Sequence, residues 1–280
     1  MRFRLWRSSR QLWVMIGFTS LCATILLLYG FGFAAYTLLH PTAGPKHSAA
    51  APARTKPAAV LADAGEIKIT AIGDSLTKGT GDPSGDGYVK QLMRGLQEET
   101  GKPVRLVNNL GIGGQQTAQL EQRLHSNGYQ YALKQANLIV LTIGGNDLFR
   151  AAREAMNGKT DSEQALTAIH KRLPDGLAHM KAILHTIRQT NPEAEVVYMG
   201  LYNPFYDIPR LKNGSLQVSE WNSEVYKLLQ ADDHMLMVPV YDLFEDRIGS
   251  YLSSDHFHPN HDGYGKMAER IIQSLSVEGA

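Results

Sequence analysis

Residues 66–76 read EIKITAIGDSL and say more about the architecture than any other part of the chain. A short run of β-branched and apolar residues ends in Gly-Asp-Ser, where the chain has to turn before a helix begins. Buried strands that lead directly into helices are typical of a parallel sheet covered by helices. The stretch therefore predicts a strand over residues 66–73 and places Ser75 at the start of a helix.

The same alternation continues along the chain. Four further β-branched runs are predicted strands: residues 104–108, 137–143, 195–200 and 235–240. Apolar residues at helical spacing mark the segments between and after them: residues 87–100, 117–123, 162–189, 219–231 and 261–275. This pattern predicts an α/β domain over residues 66–280, with three layers and a doubly wound parallel sheet of about five strands flanked by helices.

The N-terminal region predicts a membrane anchor. Residues 12–39 are nearly all apolar and exceed the roughly 20 residues needed to cross a bilayer. Four arginines lie in residues 1–11, so the positive-inside rule predicts a cytoplasmic N-terminus and an extracytoplasmic domain. Residues 40–65 are rich in Ala and Pro, which predicts an extended linker. The expected location is the cell membrane, with a single transmembrane helix.

Two alternatives remain open for this region. A signal peptidase could release the domain by cleaving near residues 48–51, although secretory apolar regions usually run only about 7 to 15 residues. Cys22 could indicate a lipoprotein, but the bulky Leu21 before it disfavours lipidation.

Composition narrows the class of function. Residues 1–62 carry seven basic and no acidic side chains, which leaves 21 basic against 27 acidic residues in the rest of the chain. A mildly acidic domain cannot displace the counterions of phosphates, so no nucleic-acid partner is expected. Cys22 is the only cysteine and lies in the apolar segment. The domain can therefore form no disulfide, Cys-ligated zinc site or cysteine nucleophile.

Polar and glycine-rich clusters follow the predicted strands, where the loops at the carboxyl edge of a parallel sheet converge. They are residues 73–76 (GDSL), 109–114 (NLGIGG), 144–147 (GGND) and 255–259 (DHFHP). Ser75 would lie at the positive end of a helix, where a developing oxyanion is stabilised. A serine at this position is also a common helix cap, so Ser75 alone does not decide between the two interpretations.

A serine nucleophile needs a general base, and that base needs an orienting partner. Asp255 and His258 lie three residues apart before a predicted helix and can supply both groups. The alternative is a metal site, because carboxylate and imidazole side chains crowd this segment. Its candidate ligands are Asp255, His256, His258 and His261. The chain has no second dense cluster of such ligands, which favours catalysis without a metal or cofactor.

Acyl transfer also needs donors for the oxyanion. Asn146 offers a side-chain amide after a predicted strand, and Gly114 offers a backbone N–H that a substrate can approach closely. The alternative for both positions is an ordinary turn. The glycines of residues 109–114 match neither P-loop nor dinucleotide-binding spacing, so no phosphate cradle is predicted.

The four clusters in this order resemble the SGNH hydrolase superfamily, over residues 67–272. Closer similarity to bacterial membrane-anchored GDSL-like lipase/acylhydrolases rests on residues 73–82 (GDSLTKGTGD) and 109–120 (NLGIGGQQTAQL). The resemblance implies a flavodoxin-like sheet order.

The resemblance also implies a role for each site residue. Ser75 would be the nucleophile, His258 its base, and Asp255 the orienting carboxylate. The oxyanion hole would consist of the Ser75 N–H, the Gly114 N–H and the Asn146 side chain, with Gly113 as an alternative donor. Asp74 and Asp147 would support the loops. In many relatives Asp-Thr follows the glycine, whereas here Gly114 is followed by Gln-Gln-Thr at residues 115–117.

These inferences predict a serine esterase or acylhydrolase, active as a monomer on carboxylic or thio esters. The substrate would be a lipid or fatty acyl ester, or an acetylated cell-envelope glycan. Two alternatives are an acyltransferase to envelope glycans with the same triad, and a non-catalytic envelope-binding domain. Residues 202–216, rich in aromatics and prolines, could form a lid, an acyl-chain rest or a plain surface loop.

Overall fold

The computed structural model describes residues 9–39, 61, 63–156, 162–208, 214–245 and 247–277. The chain divides into two compact units, residues 1–53 and residues 54–280. The first unit contains helix α1 (Ser9–Leu39), and the second contains the strands and the other helices.

Helix α1 is long and apolar enough to cross a membrane. Its stretch Trp13–Gly32 has a mean hydropathy of 2.0, and the side chains there are largely exposed. A signal sequence shares these properties, so the retained anchor and its orientation stay predictions. Most of the predicted cytoplasmic segment 1–11 and of the predicted linker 40–65 lies outside the described residues.

The strands and helices of the second unit alternate as predicted. The strands are β1 (Ile67–Gly73), β2 (Val104–Gly111), β3 (Leu138–Thr142), β4 (Glu195–Met199) and β5 (Met235–Val238). The helices are α2 (Ser75–Lys78), α3 (Gly87–Thr100), α4 (Thr117–Leu124), α5 (Asn127–Gln135), α6 (Gly145–Met156), α7 (Ser162–Thr190), α8 (Ser215–Leu229), α9 (Tyr241–Glu245), α10 (Ile248–Tyr251) and α11 (His261–Val277).

The strands form one parallel sheet in the order β2-β1-β3-β4-β5. This order is that of a doubly wound, flavodoxin-like fold, in which ligands bind at the carboxyl edge where the strand order reverses, here around β1 and β3. The predicted fold class is confirmed. Strand β2 runs past its predicted end at Asn108, because its ladder with β1 continues to the pair Gly73–Gly111.

The two faces of the sheet contribute to two apolar cores. Ile69 packs with Tyr88 and Tyr264 from α3 and α11, whereas Ile72 points to the opposite face and packs with Trp221 of α8. All five side chains are fully buried. Each buried aliphatic side chain contributes about 1.5–3 kcal/mol, so packing on both faces holds the sheet between its helical layers.

Helices α5 and α6 were not predicted. Helix α5 is nine residues long, too short for a clear apolar period. Helix α6 begins at Gly145, within the glycine pair that the sequence suggests is a turn. As a result, Asn146 and Asp147 lie in the first turn of a helix.

Candidate active site

Ser75 lies where β1 ends and α2 begins. Asp74 caps α2, since its Oδ1 accepts a hydrogen bond from the backbone N–H of Leu76 at 3.0 Å. Gly73 has a φ of +136°, and any side chain there would collide with the backbone carbonyl of Thr142. The chain therefore turns sharply after β1 and brings Ser75 to the carboxyl edge of the sheet.

The side chains of Ser75, His258 and Asp255 meet at this edge. The Nε2 atom of His258 lies 2.8 Å from Ser75 Oγ, although the two residues are 183 positions apart. The Nδ1 atom of His258 lies 2.6 Å from Asp255 Oδ2. These distances allow the imidazole to accept the serine proton while the carboxylate orients the ring. Of the three residues predicted as a triad, Ser75 and Asp255 thus each contact the ring of His258.

Asp255 is held by further donors on its other oxygen. Its Oδ1 accepts hydrogen bonds from Ser253 Oγ at 2.8 Å and from the backbone N–H groups of Phe257 and His258, each at 2.9 Å. Burial alone would raise the pKa of Asp255, but the hydrogen bonds from His258, Phe257 and Ser253 outweigh it and lower the pKa to about 2. The carboxylate is therefore ionised at neutral pH, as an orienting partner of histidine must be.

Asn146 and the turn at residues 112–115 come together beside Ser75. The Asn146 side chain is buried, and its Nδ2 donates to the backbone carbonyl of Gln115 at 3.0 Å. Gly114 is exposed, with no atom within 4 Å of the position that a side chain would occupy, and the same is true of Gly113. A substrate can thus approach either backbone N–H. Gly114 stays the predicted oxyanion donor, with Gly113 as the alternative.

Gln115 was not predicted as a site residue. Its side chain is buried, and with the amide nitrogen facing Gly73 it donates to the Gly73 carbonyl at 2.9 Å, while its oxygen accepts from the Leu120 N–H at 3.3 Å. It therefore ties the strand before Ser75 to the turn that holds Asn146. The sequence does carry one signal for Gln115. In many relatives Asp-Thr follows the glycine, whereas here Gln115 follows Gly114.

The two supporting aspartates are also placed at this edge. Asp147 accepts hydrogen bonds from the backbone N–H of Thr117 at 3.1 Å and from its hydroxyl at 2.7 Å, linking α6 to α4. Asp74 accepts from Thr142 Oγ1 at 2.9 Å. Burial raises the pKa of Asp74 to about 7, against the lowering effect of its hydrogen bonds from Thr142 and Leu76.

The candidate metal ligands have other partners. His258 is hydrogen-bonded to Ser75 and Asp255, whereas His261 Nδ1 lies 3.1 Å from Asp82 Oδ2 and the side chain of His256 is exposed. Within the described ranges, no group of three or more His, Cys, Asp or Glu side chains is arranged to hold a metal ion.

A mostly apolar cavity lies against the reactive groups. It is open to solvent on one side, and Ser75 and Asn146 belong to its wall. Most of the remaining wall is contributed by Phe149, Met199, Leu201, Tyr202, Pro204 and Phe257. The first part of the segment 202–216 is therefore a buried wall of the site, while residues 209–213 lie outside the described residues.

Gly81, in the loop after α2, lies close to the segment of His258. A side-chain Cβ at Gly81 would lie 2.5 Å from the Pro259 carbonyl and 2.8 Å from His258 Cβ. Tyr264 donates to the carbonyl of Thr80, the residue before Gly81, at 2.7 Å, which restrains the loop. We therefore expect a side chain at Gly81 to displace the histidine segment.

We expect Gly81→Ala to lower kcat/KM for ester hydrolysis by about 100-fold, the cost of a small misplacement of a catalytic group. Gly85→Ala is the matched control. Both glycines have positive φ, so both variants carry about 1–2 kcal/mol of backbone strain, but Gly85 has no atom within 4 Å of the added methyl. Thermal unfolding should show a loss for both variants, larger for Gly81→Ala because its methyl group also collides with the Pro259 carbonyl and His258. Equal activity in the two variants would contradict the expected contact with the histidine loop.

A parallel sheet flanked by helices, with a serine, a histidine and an asparagine amide at its carboxyl edge, is typical of α/β serine ester hydrolases. The GDSL-like lipase/acylhydrolase family model matches residues 71–266. The chain belongs to this family, and it is a serine ester hydrolase.

Known relatives extend the comparison. The chain is 34% identical over 218 residues to the uncharacterized protein YpmR of Bacillus subtilis, covering 76% of this chain and 83% of YpmR. It is 27% identical over 213 residues to the spore germination lipase LipC of Bacillus licheniformis, covering 73% and 94% of the two chains. Among solved structures, the lipase Lip_vut3 from a goat rumen metagenome matches with a TM-score of 0.65 and 26% identity, covering 74% of this chain and 97% of Lip_vut3.

Proposed function

We propose that this protein cleaves carboxylic esters through an acyl-enzyme intermediate, with Ser75, His258 and Asp255 as its catalytic triad. The observation that carries the proposal is the continuous chain of two short contacts from the Ser75 hydroxyl through the His258 ring to the Asp255 carboxylate. A weak nucleophile becomes reactive when a base of this kind can take its proton.

In the first half of the reaction, Ser75 Oγ attacks the ester carbonyl carbon while His258 Nε2 takes the hydroxyl proton. The carbonyl electrons move onto oxygen, and this oxyanion is stabilised by Asn146 Nδ2 and the backbone N–H groups of Ser75 and Gly114. Each such donor contributes about 10²- to 10³-fold to kcat. The intermediate then collapses, and the imidazolium returns its proton to the departing alcohol.

In the second half, water takes the place of the alcohol. His258 removes a proton from the water, the resulting hydroxide attacks the acyl carbon, and the bond to Ser75 Oγ breaks. Proton return to Ser75 restores the enzyme. Asp255 keeps the histidine in the tautomer that accepts at Nε2 and stabilises the imidazolium formed in both halves.

We also propose that α1 anchors the enzyme in the cell membrane, with residues 66–280 as a monomeric domain on the extracytoplasmic side. The length and hydropathy of Trp13–Gly32 support a membrane span, and the arginines before it favour this orientation. LipC, one of the relatives, is named a spore germination lipase, which agrees with an ester substrate.

A fluorophosphonate probe tests the mechanism. We expect the full-length protein, purified in detergent, to be labelled at a single site, with mass spectrometry placing the adduct on the peptide that contains Ser75. Ester hydrolysis should be lost in step with labelling, and prior treatment with a chelator should leave the rate unchanged. A protein that neither reacts with the probe nor cleaves short p-nitrophenyl esters would be a binding domain instead.

A further inference from the structure

A row of four buried polar side chains begins at Asp74 and runs into the core beside helix α2. Thr142 Oγ1 contacts Asp74 Oδ1 at 2.9 Å and Thr77 Oγ1 at 2.7 Å. Thr77 Oγ1 also contacts Tyr88 OH at 2.9 Å and the Ile72 carbonyl at 3.1 Å. All four side chains belong to residues that are at most 2% exposed. The row therefore contains four oxygen–oxygen contacts at hydrogen-bond distance, shielded from bulk solvent.

The number of hydrogens in this row depends on the charge of Asp74. Each contact needs one hydrogen, and the hydroxyl groups of Thr142, Thr77 and Tyr88 supply only three. A carbonyl and an ionised carboxylate cannot donate, so with Asp74 ionised one of the four contacts lacks a hydrogen, whichever way the hydroxyls turn. A buried polar contact without its hydrogen costs free energy. The geometry therefore disfavours the charged form of Asp74.

A proton on Asp74 supplies the missing hydrogen. The neutral carboxyl then donates to Thr142, and Thr142 donates to Thr77. Tyr88 also donates to Thr77, which uses its own hydrogen on the Ile72 carbonyl. All four contacts become hydrogen bonds, and the bond between Asp74 and Thr142 runs in the opposite direction from that of the ionised form.

The surroundings of Asp74 act in the same direction. Burial is the main cause that raises its pKa to about 7, and the Asp147 carboxyl on α6 adds to it. Four tyrosines on other elements lie close enough to interact electrostatically with Asp74, namely Tyr88, Tyr198, Tyr202 and Tyr264. His258 contacts the adjacent Ser75. Of these groups only a protonated His258 carries a positive charge that can favour the Asp74 carboxylate.

The charge of Asp74 matters to the reaction because of where the residue lies. Asp74 precedes Ser75 in the sequence and shares the cavity wall with Ser75 and Asn146. The oxyanion of the proposed mechanism forms between these two residues. A negative charge on Asp74 repels that oxyanion in a mostly apolar setting, where charges are poorly screened. The neutral acid avoids this repulsion.

We propose that Asp74 keeps its proton in the folded enzyme up to neutral pH, that the neutral acid is the working form, and that its ionisation slows ester hydrolysis. The carboxyl therefore makes activity fall on the alkaline side of neutrality. The effect on hydrolysis rests on the proposed function of Ser75, whereas the bound proton does not.

The first test is the pH dependence of kcat/KM for a short p-nitrophenyl ester, with the full-length protein in detergent. This quantity reports on the ionisable groups of the free enzyme. We expect the wild type to lose about tenfold or more of kcat/KM from about pH 7 to about pH 9, because like charges then meet at the site. Asp74→Asn, which is neutral at every pH, should keep its kcat/KM over this range. Asp242→Asn removes an exposed carboxylate of α9 and, as the matched control, should show the wild-type fall.

Thr77→Val tests the hydrogen count. It removes one hydroxyl together with the contacts of that hydroxyl, so Thr142 is free to donate to an ionised Asp74 and no hydrogen is missing. The fall in kcat/KM should then begin at a pH lower by about 1, the effect of one hydrogen bond. Thr77→Ser keeps the hydroxyl and should show the wild-type fall. This pair leaves Asp74 in place, so it tests the proposal even where Asp74→Asn fails to fold.

Infrared spectroscopy tests the bound proton without any substrate. The difference spectrum between the wild type and Asp74→Asn should contain the carbonyl stretch of a protonated carboxyl group at about pH 6 and lose it by about pH 9. A carboxylate band at both pH values would overturn the Asp74 proposal. The same fall of kcat/KM in Asp74→Asn as in the wild type, or identical pH profiles for Thr77→Val and Thr77→Ser, would overturn it as well. A protonated carboxyl in a protein that shows neither hydrolysis nor phosphonate labelling would instead overturn the proposed function.

Discussion

Ser75→Ala is expected to lower kcat for ester hydrolysis by about 10⁴- to 10⁶-fold. The variant removes the oxygen that forms the acyl bond, and no other group lies at its position beside His258 Nε2 within the part of the chain that the structure describes. The Ser75 backbone N–H and the Asn146 amide remain, so a small residual rate over the uncatalysed reaction should persist. The value of kcat is measured with a short p-nitrophenyl ester at saturating concentration.

The fold of this variant should be unchanged. The Cβ of alanine occupies the space of the serine Cβ, and α2 keeps its cap because Asp74 is untouched. Thermal unfolding within a few degrees of the wild type would establish this. Ser126→Ala is the control for loss of a serine hydroxyl elsewhere in the domain. Ser126 is exposed, and its hydroxyl donates to the nearby Arg123 carbonyl. Retention of more than a hundredth of wild-type kcat in Ser75→Ala would rule out Ser75 as the nucleophile.

Asp255→Asn is expected to lower kcat by about 10³- to 10⁴-fold with little change in KM. The carboxylate accepts four hydrogen bonds in total, from Ser253, from two backbone N–H groups and from His258 Nδ1. An asparagine has one acceptor oxygen, and its NH₂ group must then face a donor. If it faces His258 Nδ1, the ring adopts the tautomer with its proton on Nε2, which cannot accept the serine proton.

Ser253→Ala is the graded control for this prediction. It removes one of the donors to Asp255 Oδ1 and leaves the contact with the histidine ring. We expect a loss of kcat no greater than about tenfold, because the two backbone N–H groups and the His258 ring still hold the carboxylate in place. Equal losses of kcat in Ser253→Ala and Asp255→Asn would mean that the reaction depends on the shape of the turn at residues 253–258 and not on the Asp255 carboxylate.

The low pKa of Asp255 adds a pH dependence to the same variant. The folded state binds a proton less readily than the unfolded chain, so the ionised carboxylate stabilises the fold above the unfolded pKa of 3.8. This contribution is lost as pH falls from about 4 towards about 2. Asp255→Asn should therefore lose less stability than the wild type over this range, measured by thermal unfolding at a series of pH values.

The sheet could be predicted from local apolar runs, and the proximity of Ser75, His258 and Asp255 from the order of the four sequence motifs. Strands buried on both faces are mostly apolar, as in Leu138–Thr142, and polar clusters follow such strands in the sequence. Gln115 and Asp82 could not be found in this way. Each makes its decisive contact with a distant residue, Gln115 with Gly73 and Asp82 with His261, and no spacing within the sequence reports that proximity.

The cavity beside Ser75 was beyond sequence reasoning for a related reason. Its wall combines the end of β4, the first turns of α6 and the histidine loop, which only the fold brings together. The sequence predicts a lid, an acyl-chain rest or a surface loop for residues 202–216, and within this segment Tyr202 is buried and stacks on Phe244 with ring centroids 4.0 Å apart. Aromatic residues in such a segment are ambiguous until their neighbours are known.

The separation of Ser75 and His258 by 183 positions has a consequence for biosynthesis. On the proposed mechanism, a ribosome that has completed β1 has made the attacking hydroxyl, but the histidine ring that activates it is translated 183 positions later. The growing chain is therefore expected not to hydrolyse esters until the segment around residue 258 has been made and has folded. A prematurely terminated product that ends before residue 255 would carry the nucleophile as an ordinary alcohol.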